Sequence, residues 1–195
     1  MKKIITISRE FGAGGSTIGH AVAQKIGFEF YDKELILQAA KASNVDADTL
    51  MKWDEKVPTN FGFAQSLFDF YNKPLGEKIY NAQTEAIRKI GEKGRCIIVG
   101  RNADSILKEY DHSLHVFIYG DYHWRLNRMQ EKMPDVPREK LSEQLAAIDK
   151  ARKKYCAYFT GREFGVADSY DICMNASALG IEQCVEILSS IAQSD

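Results

Sequence analysis

Apolar residues along this chain alternate between two spacings. Ile4 to Ser8 is a short run rich in β-branched residues, closed by a glycine cluster, and predicts a buried strand. Ile18, Ala21, Val22 and Ile26 then recur at helical spacing on one face, with Gly27 as the stop. Phe28 to Tyr31 predicts a second strand, and Asp32 an N-cap for a helix from Lys33 to about Ser43. Asp46 to Trp53 predicts a short helix. Asp54 to Lys73 is less regular. A long helix follows from about Pro74 to Glu92, with Ile79, Ala82, Ala86, Ile87 and Ile90 on one side.

Cys96 to Val99 is apolar throughout and predicts a strand buried on both faces. Further elements are a short helix Ala103–Lys108, a strand Leu114–Tyr119, helices Asp121–Met133 and Arg138–Phe159, a strand Tyr170–Met174 and a last helix Ile181–Ala192. Strands that alternate with helices predict a doubly wound parallel α/β sheet of about five strands flanked by helices. At 195 residues the chain fits one domain, 1–195.

Composition is that of an ordinary globular protein, 45% hydrophobic and 27% charged, so a full core needs no staples. The net charge of −1 argues against a general nucleic-acid or membrane binder. Cys96, Cys156, Cys173 and Cys184 show no metal-binding spacing, and Cys96 and Cys173 sit in runs that read as buried strands. Ile4-Ile5-Thr6-Ile7 is too short for a secretory signal core, and no stretch is apolar enough to span a bilayer. A reducing, cytoplasmic location is expected.

Candidate chemistry begins at Ser8-Arg9-Glu10-Phe11-Gly12-Ala13-Gly14-Gly15-Ser16-Thr17, between the first strand and the first helix. A glycine-rich turn there lets backbone N–H groups converge on an anion at the helix N-terminus. Ser16 or Thr17 would offer a hydroxyl to a phosphate-bound Mg²⁺. Against the phosphate-loop pattern GxxxxGK followed by Ser or Thr, Arg9 takes the first glycine's place and Gly15 the lysine's. A plain strand-to-helix glycine turn is the alternative. Arg101 follows the apolar strand at the carboxyl edge, where α/β sheets bind ligands. Asp32 suits either an acceptor contact or a helix N-cap. The aromatic segment Phe61 to Tyr71 suits core packing, stacking on an acceptor base, or a homodimer contact.

Ser8-Arg9-Glu10-Phe11-Gly12, Gly14-Gly15 and Phe30-Tyr31-Asp32-Lys33-Glu34-Leu35-Ile36 resemble the cytidylate kinase-like family. So do Ile98-Val99-Gly100-Arg101 with Ala103-Asp104, Arg125 and Arg128 after a strand, and Tyr170-Asp171 with Asn175 and Leu179-Gly180. The resemblance spans nearly the whole chain. It implies a P-loop kinase-like fold with an acceptor-binding lobe at about 45–75 and a helical lid at about 130–165. It also implies transfer of the γ-phosphoryl of ATP, with Mg²⁺, to a nucleoside monophosphate, CMP or dCMP first. Arg9, Gly12, Ala13, Gly14, Gly15, Ser16 and Thr17 would hold the donor phosphates, with Ser16 towards Mg²⁺. Asp32, Arg101 and Asp104 would hold the acceptor. Arg125, Arg128 and Arg152 would stabilise transition-state charge. Gly15 and Asn102 stand where true cytidylate kinases carry a lysine and an aspartate, so a kinase of another small metabolite, or a non-catalytic nucleotide binder with a degenerate loop, stands as the alternative.

Overall fold

The computed structural model describes residues 3–32 and 74–194. The predicted helices at 33–43 and 46–53, the aromatic segment 61–71 and the expected acceptor lobe lie outside the described residues.

Five strands form one parallel sheet in the order β2-β3-β1-β4-β5. They are β1 (Ile4–Arg9), β2 (Glu29–Tyr31), β3 (Cys96–Val99), β4 (Ser113–Tyr119) and β5 (Ile172–Asn175). β1 sits at the centre, with Ile5 opposite Ile97 of β3 and Leu114 of β4. Helices cover both faces, which explains why the central strands lack alternation. Ile5, Ile7, Ile97 and Val99 face a core with Ile18 and Val22 of α1 (Gly15–Ile26) and Leu188 of the Ile181–Gln193 helix. Ile4, Cys96 and Ile98 face the other way, onto Ile87 and Ile90 of the Pro74–Lys93 helix and Leu107. The chain leaves β1 for one side of the sheet and later returns on the other, so the carboxyl end of β1 is the switch point where ligands bind.

The helices Tyr122–Lys132 and Arg138–Thr160 build a separate small core of Leu126, Met129, Leu141 and Leu145. Phe11 of the glycine turn packs against it. The pair thus rests on the turn, where the lid was expected.

Three expectations are corrected. The last strand begins at Ile172, because Ala167–Ser169 forms a 3-10 turn first. Cys173 is exposed, since β5 is the sheet edge and the buried residue there is Met174. The short helix is also shorter, Ala103–Ile106.

Candidate active site

The turn after β1 has the geometry its glycines suggested. Gly12 and Gly14 take φ of 79° and 88°, a region costly for residues with a Cβ. Neighbours also crowd them: a Cβ on Gly14 would stand 2.4 Å from Ile181 Cδ1, and one on Gly12 3.1 Å from the Arg125 carbonyl oxygen. Gly14 caps α1. The first N–H groups of the helix, on Gly15, Ser16 and Thr17, have no intrahelical acceptor, an arrangement that can receive an anion.

A buried polar network holds the turn in place. Asp149 Oδ1 accepts the Phe11 N–H at 2.7 Å. Arg125 Nη1 donates to the Phe11 carbonyl at 2.8 Å and to Asp149 Oδ2 at 2.6 Å. Its Nε donates to the Gly120 carbonyl at 3.0 Å and lies 3.4 Å from Glu10 Oε2. Glu10 in turn accepts the Gly120 N–H. Arg125 therefore ties turn, β4 exit and Arg138–Thr160 helix together. Arg128 reaches over the glycines instead, donating to Thr17 Oγ1 at 3.0 Å and, more loosely, to the Gly12 carbonyl at 3.4 Å. Arg152 donates to the Arg9 carbonyl at 2.7 Å, with its guanidinium carbon 5.8 Å from the Phe11 ring centre.

Arg9, Arg101 and Arg152 form a cationic cluster at the carboxyl ends of β1 and β3. Burial first, and then the charges of Arg152 and Arg101, hold the Arg9 pKa well below its usual value, against the pull of Asp32 and Asp149. Burial also lowers Arg101. Arg152 is pushed down to about 10, chiefly by burial, with Arg125 and Arg101 adding to the effect and Asp149 opposing it. A bound anion would reverse all three shifts.

The loop after β3 lies next to this cluster. Gly100, Arg101 and Asn102 take consecutive φ values of 83°, 58° and 54°. Two non-glycine residues in the left-handed region store backbone strain, which persists where surroundings fix it and collects at ligand sites. Arg101 is buried beside Tyr155, whose hydroxyl donates to Gln83 Oε1 at 3.4 Å. Tyr80 stacks on Phe159 with ring centres 4.0 Å apart. Beside them opens a cleft of about 360 Å³ lined by Glu77, Tyr80, Asn81, Tyr158 and Phe159.

These features cover what a family profile detects, and the cytidylate kinase-like profile matches residues 4–178. The chain belongs to the cytidylate kinase-like family. The cytidylate kinase-like chain is similar over its full length to an uncharacterized protein from Eubacterium ventriosum, at 26% identity and a TM-score of 0.76, covering all of that chain. It also resembles a shikimate kinase from Acinetobacter baumannii in complex with shikimate, at 14% identity, TM-score 0.52, and 98% and 93% coverage of the two chains. A shikimate kinase from Bacteroides thetaiotaomicron matches at 13% identity, TM-score 0.55 and full coverage of both. At such identities the likeness is one of fold, that of P-loop kinases. No protein of curated function matches the sequence at a significant level.

In this kinase-like chain Arg9, Arg101, Arg128, Arg152 and the Gly12–Thr17 turn lie together. Asp32 ends beside them, at the carboxyl end of β2, close enough to influence Arg9. Asp104 is engaged elsewhere: it accepts from Ser8 Oγ at 3.2 Å and Arg162 Nη1 at 3.0 Å. Thr17's hydroxyl is taken by Arg128, whereas the exposed Ser16 remains at the helix start, where a nucleotide-bound Mg²⁺ would meet it. Tyr80, Gln83 and Tyr155 were not singled out from the sequence. Nor was Asp149's partnership with the turn. Its spacing three residues before Arg152, on a helix turn rich in Lys and Arg, was the available sign.

Proposed function

We propose that this protein is a phosphotransferase moving the γ-phosphoryl of ATP to a nucleoside monophosphate, with CMP and dCMP the first substrates to try. The observation that carries this reading is the meeting of a helix N-terminal anion seat with Arg9, Arg101, Arg128 and Arg152 at one sheet edge. Phosphoryl transfer asks little of a protein beyond positioning and positive charge, and this edge supplies both.

In the reaction an oxygen of the acceptor phosphate forms a bond to the γ-phosphorus. The bond from that phosphorus to the β,γ-bridging oxygen breaks, and its electron pair leaves on ADP. A dianionic acceptor loses no proton, so no general base is required. Gly15, Ser16 and Thr17 N–H groups bind donor phosphate. Arg101, beside Tyr155, receives the acceptor, with Asp32 at the neighbouring strand end. Arg128 and Arg152 face the developing charge from the two helices that act as a lid, and Arg125 positions the turn through Phe11 and Asp149. Ser16 Oγ is the side chain that would hold a Mg²⁺ arriving with ATP, and the ion would supply positive charge to the donor phosphates. The site belongs to a reducing, ATP-containing compartment such as the cytoplasm.

A hydroxyl acceptor is the second reading. It must give up a proton, and Asp32 near Arg9 is a carboxylate suited to take it. A coupled assay with ATP–Mg²⁺ over CMP, dCMP, UMP, AMP, GMP and small hydroxy acids separates the two. Turnover of a monophosphate is expected. Turnover of a hydroxy acid alone selects the second reading, and folded protein inactive on every acceptor refutes both.

A further inference from the structure

Where a P-loop lysine would rise from the first residue of the helix, this chain has Gly15 and no space for a side chain. A Cβ on Gly15 would stand 2.7 Å from Arg9 Cβ, 2.8 Å from its Cγ and 3.4 Å from its Cδ. The stem of Arg9 fills that space. Its guanidinium then ends against Gly100, where a Cβ would come within 2.1 Å of Nη1 and 3.1 Å of Cζ. Two glycines from two different turns thus form a slot that fits one extended arginine.

The other guanidiniums nearby are held. Arg125 is bonded to two carbonyls and Asp149. Arg128 is bonded to Thr17 and Arg152 to the Arg9 carbonyl, and Arg101 lies buried beside Tyr155. The Arg9 carbonyl is taken by Arg152, and the Arg9 guanidinium donates no hydrogen bond among the described residues. It is half-buried between the phosphate turn and the acceptor loop, facing the like charges of Arg101 and Arg152, with Asp32 and Asp149 the opposing acids. A half-buried cation in that setting gains most from an anion.

We infer that Arg9 is the catalytic cation of this protein, doing from the end of β1 what a lysine does from the helix in other P-loops, and that Gly15 and Gly100 give its side chain the path. The inference rests on the phosphotransferase reading. Because the guanidinium ends at Gly100, beside the acceptor loop, it meets the phosphoryl group from the acceptor side. Its contact therefore strengthens as the γ-phosphoryl moves from ADP to the acceptor oxygen, and Arg9 keeps its protons throughout.

The test compares Arg9→Met, Arg9→Lys and Gly15→Ala with the unaltered protein, each checked for folding by its thermal melt. Arg9→Met is expected to lower kcat by about 100-fold or more, with a smaller but measurable weakening of ATP binding. Arg9→Lys should recover part of the loss. Gly15→Ala removes no charge, yet should lower kcat by displacing the Arg9 stem. A folded Arg9→Met protein with unaltered kcat overturns the inference while leaving the phosphotransferase reading intact. If the unaltered protein turns over no acceptor, calorimetry with ATP and adenosine decides. Arg9→Met must then weaken ATP binding and spare adenosine, and equal ATP affinity in the two proteins overturns the role of Arg9.

Discussion

Arg125 and Arg128 stand three apart on one helix, and their neighbours give them opposite duties. Arg125 is buried and spends its donors on Phe11, Gly120 and Asp149. Removing one member of a buried ion pair leaves the other charge uncompensated, at a cost of about 3–5 kcal/mol. Arg125→Met is therefore expected to lose stability of that size in a denaturant titration, whereas Arg128→Met, whose bonds reach only the half-open turn, loses much less. A second outcome concerns Gly15. Supplying the lysine of the phosphate-loop pattern by Gly15→Lys looks like a gain of function from the sequence. With the Arg9 stem 2.7 Å from the new Cβ, it should instead lower both melting temperature and turnover. A rise in activity would show that the Arg9 side chain yields easily.

At the scale of elements, the Arg138–Thr160 helix is the organiser of the site. Asp149 holds the glycine turn, Arg152 holds the end of β1, and Tyr155 lies beside Arg101. Successive members stand three residues apart, less than one helical turn. Its boundaries were legible, because Leu141, Leu145 and Ile148 recur at helical spacing and Gly161 ends the helix. Its role was not, since Arg9, Phe11 and Arg101, which it meets at the site, lie more than fifty positions away. The preceding helix starts at Asp121, whose carboxylate accepts from the N–H groups of His123 and Trp124. The Trp124 bond is the main cause holding that carboxyl below its ordinary value. The stabilisation is thus present above the ordinary carboxylate pKa and is lost as pH falls through the lowered one. Asp121→Ala should reduce the melting temperature by a few degrees at neutral pH, converge on the unaltered protein in acid, and leave ATP affinity unchanged.

For the molecule as a whole, burial sets an alkaline limit. Burial pushes Tyr31, Tyr155 and Cys96 up to about 12, while the unfolded groups ionise near 10 or 9. Each is raised, so each contributes stability that is complete below the unfolded pKa and lost as pH rises towards about 12. Arg152, lowered to about 10, acts in the opposite direction. Tyr80, Tyr170, Cys156, Cys173 and Cys184 are raised as well, while Arg9, Arg101, Arg128 and Lys132 are lowered like Arg152. The raised groups outnumber the lowered and predict a net fall in unfolding free energy from about pH 9 to 12, measurable in denaturant titrations. Tyr155→Phe should make that fall shallower.

The sequence by itself determined the sheet, the helices and the glycine turn, because apolar periodicity and turn chemistry are local properties of the chain. It also placed most of the arginines at element ends. It erred at β5, where burial of Cys173 depends on which strand lies at the edge, and strand order is not a local property. Only the tertiary structure decided which cation was left to meet a phosphate. Arg125, Arg128, Arg152 and Arg9 look alike as residue types. They are sorted by partners brought from distant segments: Asp149, Thr17, the Arg9 carbonyl and the space left by Gly15 and Gly100. The turn Gly12 to Gly15 needs glycine for its backbone, as the spacing implied. The absence of a side chain at Gly15 acquires its meaning only when the arginine that fills the gap is seen.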